Sequence, residues 1–201
     1  MKIGYQLKQV RERLAKGLVD KGVLRTEKRN FLLFDMATHP VSDPTFKDDV
    51  LKRTLGLLTA RTAAVPLSEL YDENVRYRTI RAVSMVCAAF AANVLENALI
   101  HLGYDAREAA FAKCDELLAE FSQWPFGAVR ATAAGGIGGG TSAAGAESAN
   151  LAEINRLARM EIVGSGEGNG EGQTGGQAQR ELHLEVAAGV MEIFRRMDSL
   201  L

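Results

Sequence analysis

Lys8 and Arg11 stand three positions apart in the stretch LKQVRERLAKGLVDKG, residues 7–22. At about 100° per residue both fall at the edge of one apolar helical stripe, one turn apart. Cations placed there can converge on a single anionic group while their aliphatic stems stay packed on the stripe. A phosphate suits such a pair, because charge-assisted hydrogen bonds to it are short and strong. A second constellation follows: Arg25, Lys28 and Arg29, then the apolar run Phe31-Leu32-Leu33-Phe34, closed by Asp35. Residues 1–30 hold nine Lys/Arg against three acids, a local +6 in a chain of net charge −1, so the remainder carries −7. A basic end beside an apolar run fits an anionic partner, either nucleic acid or a lipid surface. A solvated helix face is the plain alternative, and the charge run alone leaves it open.

Other chemistry finds little support. Gly135-Gly136-Ile137-Gly138-Gly139-Gly140-Thr141-Ser142 imitates a phosphate-binding loop, but Thr141 stands where the lysine belongs and no apolar strand precedes it. It reads as a linker. His39, His101 and His183 with Cys87 and Cys114 show no metal-ligand spacing. The two cysteines sit in apolar helical contexts and read as reduced core residues of a cytosolic protein. No nucleophile motif and no acid–base dyad is visible, so neither catalysis nor a cofactor is expected.

The elements that must position these residues follow from periodicity. Ile3, Leu7, Val10, Leu14 and Leu18 recur at helical spacing, which predicts a helix over 3–21 with its stop at Lys21-Gly22. Next come a strand, a charged tip at Glu27-Lys28-Arg29-Asn30, and Phe31–Phe34 as the second strand of a β-hairpin. A strand covered on one face alternates apolar and polar residues, so two of these four side chains point away from what the other two cover. Either protein packs both faces, or one face is offered to a partner or a bilayer.

Asp43-Pro44 starts a helix to about Arg61, with Phe46, Val50, Leu51, Leu55 and Leu58 inward. After a loop at 62–76, residues 77–102 are apolar almost all round and belong at the centre of a helical domain. Asp105 and Glu108 form a capping pair for the next helix, whose Phe111, Cys114, Leu118 and Phe121 face inward. Of 20 glycines, 14 lie between Gly127 and Gly176. The tracts around 133–146 and 164–177 therefore read as flexible linkers flanking a modest helix at 150–162. A last helix, 181–200, carries Val186, Val190, Ile193 and Met197 on one face and needs a core to dock on.

The expected fold is thus mainly α, a helical domain around a buried central helix with one protruding β-hairpin. The domain takes residues 1–126 plus 181–201, and 127–180 form a Gly-rich flexible insertion with one short helix. No secretory signal is expected, and the longest apolar stretch, 82–92, is too short to span a bilayer.

Four stretches carry a family resemblance: YQLKQVRERLAKGLVDKGVLRTEKRNFLLFDMATHPVSDP, AANVLEN, EFSQWPF and LHLEVAAGVMEIFRRMDSLL. On them the chain resembles the Golgi phosphoprotein 3 family, most of all its fungal branch. The glycine tracts depart from the family pattern. The resemblance implies a mainly helical, non-enzymatic peripheral protein of the cytosolic face of Golgi membranes. It implies binding of phosphatidylinositol 4-phosphate and retention of glycosyltransferases, through their cytosolic tails and coatomer. By the same resemblance Lys8 and Arg11 belong to the lipid head-group pocket, and the hairpin matching Arg25–Met36 serves membrane contact and self-association. Family members carry a long portion before the position of Lys2, with an earlier Trp and Arg of the pocket and a basic cluster for coatomer. The chain is accordingly expected to be a truncated form. Two readings from other classes stay open on the residues alone. One is a winged helix with Arg25, Lys28 and Arg29 on a phosphate-contacting wing. The other is an interaction scaffold without a lipid role. The resemblance implies no nucleic-acid partner.

Overall fold

The computed structural model describes residues 8–31, 34–60, 75–126, 142–164 and 173–197. Ile3 and Leu7 of the first stripe, Leu32 and Leu33, the connection around Pro66, the loop imitation at 135–141 and the centre of the second glycine tract lie outside them. Among the described residues there are seven helices and one two-stranded antiparallel sheet, so the fold is mainly α. The chain divides into two compact units, residues 1–50 and 51–201.

In the first unit, α1 spans Val10–Asp20. It starts later than the stripe suggested, because Gln9 takes a left-handed conformation (φ 55°) and breaks the helical path. Its end is where the sequence puts it. Gly22 adopts φ 74°, donates to the Val19 carbonyl at 2.9 Å, and is followed by Val23 donating to Leu18 at 2.9 Å. That is the paired bonding of a glycine-closed helix end, which lets two otherwise unpaired carbonyls find donors.

The hairpin differs from expectation in its register. Strand β1 is Glu27–Phe31 and β2 is Phe34–Thr38. Leu24 pairs with Val41, Glu27 with Thr38 and Phe31 with Phe34, without a bulge. Arg25 donates to the Pro40 carbonyl (3.0 Å), Ser42 to Val23 (2.9 Å), and the Thr38 hydroxyl to the Glu27 carbonyl (3.1 Å). A register anchored at that base carries through to the far end, where Phe31 pairs with Phe34. Lys28 and Arg29 therefore lie within β1, not at a tip, and Phe31 ends β1 while Phe34 opens β2, so the apolar run does not form the second strand.

The first unit ends within α2, Pro44–Thr59. Asp43 caps it as expected: its carboxylate accepts from the Thr45 amide at 2.9 Å, and hydrogen bonding to Thr45 holds that carboxyl below its ordinary pKa. No described side chain from residue 8 to residue 50 is buried.

The second unit holds the core. Its helices are the later part of α2, then α3 (Arg78–Ala91), α4 (Glu96–Leu99), α5 (Tyr104–Phe121), α6 (Ser142–Gly164) and α7 (Gln173–Arg196). Helix α3 is the expected central helix: it packs on α5, α6 and α7, and Ile80, Val83, Val86 and Cys87 are buried. It is shorter than predicted. Asn93, at φ 55°, donates to Phe90 (2.9 Å) while Val94 donates to Ala89 (3.0 Å), closing α3 as Gly22 closes α1. Leu95 and Leu99, beyond that break, are still buried. On α5, Cys114, Leu118 and Phe121 are buried as predicted, and Phe121 meets Phe126 with ring centroids 4.9 Å apart. The Asp105–Glu108 cap is not formed. Gly103 occupies the cap position and no side chain bonds there.

Helix α6 differs most from its expected role. The linker reading covered residues 142–146, yet Ser142-Ala143-Ala144 already belongs to a helix of 23 residues, in keeping with the helical preference of alanine. Leu151, Ile154 and Ala158 enter the core. Polar side chains tie the helix on three sides. Asn150 donates to the Ala60 carbonyl (3.0 Å), Asn155 to buried Glu120 on α5 (2.8 Å), and Arg159 to the Phe126 carbonyl (2.7 Å). Glu161 accepts from the Thr79 amide (2.8 Å) and hydroxyl (2.7 Å), capping the start of α3 from another helix. Glu161→Ala removes that cap, which is worth about 1 kcal/mol. A fall in Tm of about 2–4 °C is expected for a unit of this size; an unchanged thermal melt would count against the cap.

Helix α7 turns the opposite face inward from the one predicted. Leu184, Ala188 and Met191 are buried, while Val186, Val190, Ile193 and Met197 are exposed. The helix has two apolar stripes, and the less obvious one, built around an alanine, faces the core. A small residue there lets α3 and α5 approach closely.

Candidate membrane-facing surface

The cations singled out from sequence all lie in the first unit and all are exposed. Arg11 stands on the first turn of α1. Lys8 lies in the turn before the helix, on the far side of left-handed Gln9, so helical spacing does not set its relation to Arg11. Arg13 and Lys16 follow on α1. Arg25 pairs with Glu27 at 3.6 Å across exposed side chains, a contact worth little in water. Lys28 and Arg29, being neighbours on a strand, fall on opposite faces of the hairpin, and both faces are solvent-accessible there.

A feature missed from sequence completes the surface. Val10, Leu14 and Leu18, which the sequence placed on one apolar stripe, are exposed, Leu14 at 64%. On the helical wheel Arg11 borders this stripe on one side and Arg13 on the other. An apolar stripe between cations is the pattern of a helix lying in a membrane interface, apolar face toward the acyl chains and cations toward lipid phosphates. The periodicity was plain in the sequence. What it could not tell was whether protein or solvent lay opposite.

Among the described residues no group of three or more His, Cys, Asp or Glu is placed to hold a metal ion. Burial pushes the Cys87 and Cys114 thiols upward, Cys114 to about 12, so neither forms the reactive thiolate near neutral pH. No helix among the described residues is long and apolar enough to cross a membrane.

The Golgi phosphoprotein 3 family model matches residues 2–135, about two thirds of the chain, including α1 and the hairpin. The chain belongs to the Golgi phosphoprotein 3 family. It is 45% identical over 201 residues to vacuolar protein sorting-associated protein 74 of Schizosaccharomyces pombe, covering all of this chain and 52% of that protein. The protein of the same name from Eremothecium gossypii is 43% identical over 201 residues, with 100% and 53% covered. This Golgi phosphoprotein 3 family chain therefore spans about half the length of these curated relatives. The second of the four stretches that carried the resemblance includes Asn93, which closes α3. The first contains the whole hairpin.

Proposed function

We propose that the chain is a Golgi-associated peripheral membrane protein that binds phosphatidylinositol 4-phosphate. On this reading it is an adaptor and not an enzyme, linking coatomer to glycosyltransferase tails and so supporting their retention. Family membership supports the Golgi and the sorting role. The observation that carries the membrane reading is the exposed Val10–Leu14–Leu18 stripe bordered by Arg11 and Arg13. It lies in the same unit as a hairpin whose last pair is Phe31 with Phe34. A winged helix would have little use for that stripe, since phosphate contacts need only the cations.

Co-sedimentation with vesicles, with and without phosphatidylinositol 4-phosphate, tests the reading. Binding to anionic vesicles should fall as salt rises, since each cation near the surface contributes about 1 kcal/mol. Phosphatidylinositol 4-phosphate should strengthen it beyond an equally charged surface. Absence of binding to either vesicle, alongside a duplex-DNA shift, would replace this reading with the winged helix. Absence of both would leave the lipid-independent scaffold.

Lys8 and Arg11 form the proposed head-group site. Charge-assisted bonds contribute about 1.5–3 kcal/mol each. Lys8→Ala with Arg11→Ala should therefore erase a preference for phosphatidylinositol 4-phosphate of roughly tenfold or more. Lys16→Ala with Lys21→Ala should weaken binding to both surfaces alike. Should the two double variants behave identically, the pair is only part of a basic patch.

A further inference from the structure

Helix α6 is held on the core by few apolar contacts for its length. Among its described residues the buried apolar side chains are Leu151, Ile154 and Ala158. The shorter α3 buries Ile80, Ala82, Val83, Val86 and Cys87. Four polar side chains complete the attachment of α6: Asn150, Asn155, Arg159 and Glu161. Such bonds exchange for bonds to water when a helix departs, so their net contribution to docking is modest. Two of them also leave a cost behind. Each asparagine donates its amide nitrogen to an acceptor, Asn150 to the Ala60 carbonyl and Asn155 to Glu120, which fixes the orientation of the amide. Both side-chain oxygens are then buried without a donor among the described residues. A buried acceptor left unpaired is destabilising, and both oxygens regain water once α6 lifts away. The docked helix is thus opposed from within its own interface.

What α6 covers is a socket that the other helices build without it. Helices α3, α5 and α7 pack on one another directly. The groups that receive α6 belong to other elements: the Ala60 carbonyl past α2, Glu120 on α5, the Phe126 carbonyl, and Thr79 on α3. All four fall within residues 2–135, which match the family pattern, whereas α6 lies beyond them. Thr79 shows the socket most clearly. Its amide meets both carboxylate oxygens of Glu161, at 2.8 and 3.0 Å, and its hydroxyl donates to one of them at 2.7 Å. The start of α3 carries no capping bond from a side chain of its own cap residue. It takes an acid delivered by another helix.

We propose that α6 is a releasable strap, which lifts from the core as one unit while α3, α5 and α7 stay folded. Local opening of this kind draws on the least stable part of a fold. The strap closes a socket that accepts a helix with the pattern Asn-x4-Asn-x3-Arg-x-Glu, read from Asn150 to Glu161. Its occupant is α6 itself. The device lies in the second unit and does not depend on the membrane reading.

Hydrogen exchange of the full chain, read residue by residue by NMR, tests the strap. Amides of residues 150–163 should exchange together, roughly tenfold or more faster than those of α3 and α5. The Thr79 amide, held by Glu161, should exchange with α6 and not with the rest of α3. A labelled peptide of residues 147–164, added to the full chain, tests the socket. It should bind about fivefold more tightly when the chain carries Glu161→Ala, and about fivefold less tightly when the peptide does, the equivalent of one lost cap. Glu120→Leu with Asn155→Leu gives a reading independent of the cap. Replacing both buried partners by apolar groups relieves the unpaired oxygen, so α6 should exchange more slowly while α3 is unchanged. Exchange of α6 in step with α3 and α5 would overturn the strap and make the helix a fixed part of the core. No peptide binding, or binding indifferent to both Glu161→Ala changes, would overturn the socket.

Discussion

Replacing Phe31 and Phe34 together by Ser should lower binding to anionic vesicles by about 100-fold or more. The two residues are cross-strand partners in the last pair before the turn. Burying one large apolar side chain in an acyl environment gives about 1.5–3 kcal/mol. Two such residues give about 3–6 kcal/mol, where a factor of ten in affinity is 1.4 kcal/mol. A cation near an anionic surface adds only about 1 kcal/mol, so Arg29→Ala should cost far less than the phenylalanine pair. Far-UV circular dichroism should be unchanged, since the pairing of the two strands is made by the backbone. Loss of only a few-fold in co-sedimentation would mean that the cations, and not the apolar turn, carry the attachment.

The largest effect on stability should come from Phe121→Ala. Phe121 is 1% exposed at the end of α5, its ring 4.9 Å from Phe126, which in turn meets Trp124 edge-on at 5.0 Å. Truncating a buried phenylalanine costs about 3–5 kcal/mol through lost transfer energy and the cavity left behind. At about 2–4 °C per kcal/mol for a unit of this size, Tm should fall by roughly 10 °C. The Arg159 bond to the Phe126 carbonyl should loosen with it. A shift smaller than that of Glu161→Ala would show that the aromatic group is not part of the cooperative unit.

Local signals were the legible part of this sequence. Gly22 at a helix end and Asp43-Pro44 at a helix start act through their own backbone and neighbours, and each stands where it was read. The break at Asn93 uses the same backbone geometry as Gly22, but asparagine takes a left-handed conformation less freely than glycine, and the apolar residues around it promised a continuous helix. The hairpin was legible as a hairpin. Its register was not, because four apolar residues in a row resemble a strand interior, and the bonds that fix the turn sit seven residues away at Leu24 and Val41.

Faces were harder than elements. Periodicity found the stripe on α1 and the outer stripe on α7 and assigned the latter inward, since an apolar face ordinarily meets a core. Sequence spacing cannot say what lies opposite. Helix α6 was undervalued for a related reason. Its attachment rests on Asn150, Asn155, Arg159 and Glu161 reaching partners far away in the chain, and polar residues carry no periodic signature. The candidate site shared this limit. The cations were recognisable by type, but Lys8 and Arg11 were related through a helix that begins only at Val10.

The unbroken hairpin ladder also separates reach from chemistry. From the Leu24–Val41 bridge to the Phe31–Phe34 pair the arms run about 24 Å at the usual strand rise. With no bulge between, that distance is set by residue count alone. One residue added to each arm would carry the same apolar end about 3.4 Å further out, while moving every side chain beyond it to the other side of the ribbon. Two added to each arm would restore the sides and double the gain. The hairpin thus works as a ruler in steps of two, and the reach of its apolar end can be tuned by length without altering a residue at that end.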